Sequence, residues 1–131
     1  MDVDILTVMV VDDSPIIVKK LSVMMQTLGY KVIQTATNGK EAVAAYPQCK
    51  PNVVTMDITM PEMDGIEATQ AIMSEFPDAK ILMITSHGQE SMVLDALKAG
   101  AKGYILKPFQ QQKVYETIQK MCKRKIDLQF F

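Results

Sequence analysis

Five short runs of apolar and β-branched residues recur along the chain, at 6–11, 31–35, 53–56, 81–85 and 103–106, and a segment with helical spacing follows each one. The first, third and fourth runs are nearly continuous hydrophobes, the pattern of strands buried on both faces. The helical stripes are Ile17, Leu21, Met24 and Leu28 with Val18 and Met25 beside them, then Ala42, Val43 and Tyr46. Further on come Ile66, Thr69, Ile72 and Met73, then Val93, Leu94 and Leu97, and last Val114, Ile118 and Met121. A strand followed by a helix, repeated five times with short connections, predicts an α/β fold: a doubly wound five-stranded parallel sheet with five helices on its two faces and right-handed crossovers.

The segment boundaries carry their own signals. Ser14 before Pro15 reads as an N-cap followed by proline at the first helical position. Gly29 and Gly100 fall where the first and fourth helices should end, where a left-handed residue closes the last turn. Asn38-Gly39, Pro61 and Asp64-Gly65 punctuate loops. At 131 residues the chain fits one domain with a real core. We assign residues 1–125 to that domain and 126–131, "IDLQFF", to a short apolar C-terminal tail.

Charge narrows the function classes. Lys and Arg number 14 against 15 Asp and Glu, a net charge of −1, which gives no broad attraction to nucleic acid or to anionic lipid. The basic cluster of Lys120, Lys123, Arg124 and Lys125 closes the last helix and complements its negative end; partner docking is the second reading of it. Cys49 and Cys122 lie far apart with no metal-ligand spacing and read as reduced thiols. The N-terminus has no basic stretch and its apolar run is short and broken by acids, so we expect neither a signal peptide nor a membrane span, and a cytoplasmic, monomeric protein.

The chemistry collects at one rim. In a doubly wound sheet, ligands bind outside the carboxyl ends of the strands. Asp12 and Asp13 end the first strand, Asp57 the third, Thr85 the fourth, and Lys107 follows the fifth. Two like charges ~4 Å apart repel by about 4 kcal/mol at an effective dielectric near 20, so clustered acids call for a cation. Magnesium prefers hard oxygen ligands and keeps waters and phosphate oxygens beside a few carboxylates. Asp13 and Asp57 suit it, with Asp12 able to orient them. A carboxylate can also attack phosphorus, and Asp57, ending a central strand, is the candidate. Phosphoryl transfer needs positioning and charge neutralisation, which Lys107 and the Thr85 hydroxyl can share with the ion. Each residue alone has a plain structural explanation; their convergence is the signal.

The motifs "VVDDSP", "TMDITMPEMDG", "ILMITS" and "GAKGYILKPF" resemble the receiver domain of bacterial two-component response regulators, over roughly residues 5–124, and in particular its single-domain members that act in chemotaxis. The resemblance implies a flavodoxin-like sheet of order 2-1-3-4-5, an order known for this family. It implies a histidine kinase as donor, Asp57 as phosphoacceptor, and magnesium held by Asp12, Asp13, Asp57 and the backbone carbonyl of Thr59. Thr85 and Lys107 would touch the phosphoryl group and Lys107-Pro108 would be a cis peptide. Tyr104 would be a switch aromatic, with Val93 and Lys120 on a partner surface for the flagellar motor switch, and a phosphatase is a further possible partner.

Thr59 and His87 stand two residues after Asp57 and Thr85, at positions that flank the path of attacking water in such domains; we expect them to tune dephosphorylation. The resulting reading is a phosphorylation switch and not an enzyme. The alternatives are a phosphorelay intermediate passing phosphate to a histidine phosphotransfer protein, and a magnesium-dependent phosphatase. The phosphatase reading suffers because Thr59 stands where a leaving-group acid is needed. A flavodoxin-like cofactor binder would need an amide-rich loop instead of carboxylates.

Overall fold

The computed structural model describes residues 5–127. Its elements alternate strictly: β1 (Thr7–Val11), α1 (Pro15–Thr27), β2 (Lys31–Ala36), α2 (Gly39–Cys49), β3 (Val53–Met56), α3 (Gly65–Glu75), β4 (Ile81–Thr85), α4 (Glu90–Ala99), β5 (Gly103–Leu106) and α5 (Gln111–Met121). The strands form one parallel sheet in the order β2-β1-β3-β4-β5. The expected doubly wound fold is therefore the observed one.

Side chains of successive strand residues point to opposite faces, and that alternation divides the apolar runs between two cores. Met9, Val11, Val54, Met56, Ile81 and Met83 face Ala42, Tyr46, Ala68, Ile72 and Ala96, on the side of α2, α3 and α4. Val8, Val10, Val53, Leu82, Ile84 and Ile105 face Leu21, Met25, Leu28, Val114, Tyr115 and Ile118, on the side of α1 and α5. A run that looks uniformly hydrophobic is thus two interleaved period-two patterns, each serving a different core.

The helix ends obey the signals, with refinements. Ser14 accepts from the Ile17 N–H at 3.3 Å, with Pro15 opening α1. Gly100 caps α4 in the left-handed region at φ 115°. Asn38-Gly39 and Asp64-Gly65 are helix starts as well as loop ends: Asn38 accepts from Glu41 N, and Asp64 forms a reciprocal capping box with Glu67. That second signature, an acid followed three residues later by Glu, was present in the sequence.

One stripe differs from expectation. On α4 the buried positions are Ala96 and Ala99, while Leu94 and Leu97 are about half exposed, at 49% and 47%. Small residues occupy the buried face of this helix, which packs beside α3, and the leucines are turned outward. Beyond α5 the chain folds back. Arg124 N donates to Gln119 O at 2.7 Å, Lys125 O accepts from Gln119 Nε2 at 2.6 Å, and Asp127 N donates to the Tyr115 hydroxyl at 2.9 Å. Tyr30 donates to Gln119 Oε1 at 2.7 Å, and Ile126 packs on the α1/α5 core. The first part of the expected tail is thus tied to the domain; positions 128–131 lie outside the described residues. Among the described residues, no helix is long and apolar enough to cross a membrane.

Candidate functional site

Parallel register brings the carboxylates together. Val11 pairs with Met56, so Asp12 and Asp57, each one residue further on, leave the sheet side by side. Both are anchored as they leave: Asp12 N donates to Ala36 O at 3.1 Å and Asp57 N to Val11 O at 3.0 Å. Thr85 pairs with Leu106, and Lys107 N donates to Thr85 O at 2.9 Å, which delivers the lysine to the same rim.

Asp12, Asp13 and Asp57 each offer an oxygen within 4.8 Å of the others. Their environments differ sharply. Asp12 is 1% exposed, with Oδ1 accepting from Ser14 N at 2.9 Å and Oδ2 from Lys107 Nζ at 2.8 Å. Both of its oxygens therefore have protein donors, which suits an orienting role. Asp13 is exposed and open to an incoming ligand. Asp57 is buried, accepts from the Ile58 N–H at 2.8 Å, and has Oδ2 3.4 Å from the Lys107 ammonium.

Burial pushes the Asp57 carboxyl above its ordinary range, and the Asp12 charge adds to this, against the opposing pull of Lys107, the Ile58 N–H and the Thr85 hydroxyl. Burial alone would lower the lysine, but its hydrogen bond to Asp12 and the charge of Asp57 outweigh that and hold it above its usual value. The donor set is carboxylate oxygen throughout, hard ligands of the kind magnesium takes, and Asp13 leaves room for water.

The loops above the acids are linked as well. Thr59 Oγ1 and His87 Nε2 share a hydrogen bond of 2.6 Å, in which either can donate according to the imidazole tautomer. His87 N donates to Thr85 Oγ1 at 3.3 Å. Tyr104 donates its hydroxyl to the His87 carbonyl at 2.6 Å, turning the ring toward the site, and burial followed by the Asp57 charge raises its pKa. The Lys107-Pro108 peptide is cis, as the resemblance implied. Gly65 lies so close under Asp57 that a Cβ there would overlap the Asp57 carbonyl oxygen, and Gly65 N donates to Ile58 O at 2.7 Å. That supporting role was not read from sequence, where Gly65 was only a loop signal.

Of the partner-surface residues, Val93 is partly buried on α4 and Lys120 is exposed on α5. Neither adjoins the carboxylates. Lys120 shares a groove with Lys102, Lys113, Thr117 and Met121.

Residues 8–119 match the family described as response regulator receiver domain. The chain belongs to that family. It is similar to the chemotaxis protein CheY of Thermotoga maritima, 48% identical over 116 residues, which covers 88% of this chain and 97% of the relative. The CheY of Bacillus subtilis is 44% identical over 113 residues, 86% of this chain and 94% of the relative. Among solved receiver structures, the CheX-CheY-BeF3-Mg complex of Borrelia burgdorferi superposes with a TM-score of 0.86 at 39% identity, covering 89% of each chain. The response regulator domain of Thermotoga maritima CheB does so with a TM-score of 0.85 at 31% identity, covering 94% of this chain and all of that one. Receiver domains are signalling switches, and the acidic cluster at this receiver's rim is consistent with magnesium binding.

Proposed function

We propose that this receiver is a single-domain response regulator of chemotaxis that accepts a phosphoryl group on Asp57 from a histidine kinase. The observation that carries the proposal is the crowding of a buried acceptor acid against two further acids and one cation. In the transfer, an Asp57 oxygen forms a bond to phosphorus as the bond from phosphorus to the kinase imidazole breaks, and the nitrogen keeps that electron pair. Lys107 and the Thr85 hydroxyl meet the phosphoryl oxygens. Asp12 holds Lys107 in place, and Asp12, Asp13, Asp57 and the Thr59 carbonyl would hold magnesium, which would supply charge neutralisation when bound.

Output runs through contacts with other proteins. Engagement of Thr85 by the phosphoryl group biases Tyr104 and the surface of α4, β5 and α5, where Val93 and Lys120 meet a flagellar motor switch protein. Exposed Leu94, Leu97 and Leu106 give that surface apolar area, and the groove lined by three lysines suits an acidic partner. A shift from 1:99 to 99:1 between inactive and active states takes about 5.5 kcal/mol of preferential stabilisation. Thr59 and His87 tune loss of the phosphoryl group, and a phosphatase is a further partner, in keeping with the complex formed by the Borrelia relative. The switch is assigned to residues 1–125, with Ile126 and Asp127 at the start of the 126–131 tail packed back onto it.

The test is incubation with acetyl phosphate and magnesium, followed by intact mass and peptide mapping. One phosphoryl group should appear on Asp57 and none on the Asp57→Ala variant. A label on another side chain, or no label, overturns the proposal.

A further inference from the structure

His87 joins parts of the site that come from three neighbouring strands, β3, β4 and β5. Its imidazole meets Thr59 from the loop after β3, its N–H meets the Thr85 hydroxyl at the end of β4, and its carbonyl receives the Tyr104 hydroxyl from β5. The first of these bonds is a side-chain contact that spans the two loops, across 28 residues. The loop between Thr85 and α4 carries Gly88 directly after His87, so its own backbone restrains the carbonyl weakly.

We propose that the Thr59–His87 hydrogen bond is a positioning contact for the switch: by fixing the His87 loop, it keeps the carbonyl where Tyr104 can reach it. Thr59 then acts on Tyr104 through His87, without touching it. This rests on the receiver reading and deepens it, because two positions assigned to phosphoryl lifetime also set the resting bias of the switch. Removing the Thr59 hydroxyl shifts the balance between bonded and released Tyr104 by about two- to tenfold, the range of one hydrogen bond at a partly exposed site. A role confined to the path of water would change decay of the phosphoryl group and leave Tyr104 where it is.

The experiment is NMR of protein with isotope-labelled tyrosine rings, unphosphorylated and free of magnesium, with the Tyr104 signals assigned through Tyr104→Phe. Thr59→Val and His87→Ala should displace the Tyr104 ring signals in the same direction. The double variant should add little to either single one. Thr59→Ser, which keeps a hydroxyl, should hold the signals near the wild-type position. Tyr104 signals unchanged in Thr59→Val, or displaced equally by Thr59→Ser and Thr59→Val, overturn the proposal. Since no phosphoryl group is present, these outcomes stand apart from failure of Asp57 to accept one, which wild-type mass measurement reads separately.

Discussion

The Lys107 ammonium is bonded to Asp12 at 2.8 Å and stands further, 3.4 Å, from the acceptor Asp57. Lys107 is thereby held by an acid that is itself 1% exposed, and it remains available to a group arriving on its neighbour. Lys107→Met should cost about 3 kcal/mol at neutral pH, because it strands a buried carboxylate. Asp12→Asn combined with Lys107→Met should cost less than the two single changes added together, which urea denaturation of all three variants measures. The lysine's pKa is raised above 10.5, so its contribution is full below pH 10.5 and is lost as pH climbs through the raised value.

Asp57 gives the same direction of pH dependence for the opposite reason, since in it the charged form is the disfavoured one. Burial, then the Asp12 charge, lifts its pKa above the ordinary 3.8. Between those two values the folded protein binds more protons than the unfolded chain, so stability falls as pH rises through the window. At neutral pH without metal, ionised Asp57 is a standing cost. Asp57→Asn should melt higher than wild type in EDTA at pH 7, and the advantage should vanish below pH 3.8.

Magnesium should reverse that cost. A ligand at one hundred times its Kd stabilises the folded state by about 2.7 kcal/mol. Calorimetry with and without magnesium should show a rise in Tm for wild type. Asp13→Asn, which removes the exposed carboxylate of the cluster, should lose most of it.

Gly65→Ala tests the support beneath the acceptor. The added Cβ collides with the Asp57 backbone, which cannot swing aside as a flexible side chain would. We expect a loss of about 3 kcal/mol, at the upper end of overpacking effects, together with slower phosphorylation. Urea denaturation and the rate of mass gain with acetyl phosphate check the two effects.

Thr55 sits in β3 at 1% exposure, and its hydroxyl has no hydrogen-bond partner among the described residues. Thr55→Val keeps the branched shape and removes the unpaired oxygen. It should stabilise the protein by about 1 kcal/mol in urea denaturation.

The fold was legible because its two signals, buried strand runs and helical stripes, alternate without exception, and because Ser14-Pro15, Gly29 and Gly100 mark helix ends by backbone chemistry. The acids, Thr85 and Lys107 were legible for the same reason: knowing where a strand ends tells which rim its next residue joins. Other features had no such local mark. Ala96 and Ala99 are the buried positions of α4 while Leu94 and Leu97 are exposed, since close packing beside α3 selects for smallness, which a hydrophobic stripe does not reveal. The Thr59–His87 bond joins two loops whose separation in sequence hides their proximity. Gln119 carried no signal in the sequence, yet its amide is buried on α5, bonded on one side to Tyr30 and on the other to Lys125.

That buried amide bears on how the protein can be shortened. The family match ends at residue 119, and cutting there would leave Tyr30 facing a frayed helix end, delete the Lys125 carbonyl that satisfies Gln119, and bare the apolar floor now roofed by Ile126. A minimal version designed from homology should therefore run through Asp127, and tags fused to the C-terminus should begin after that point.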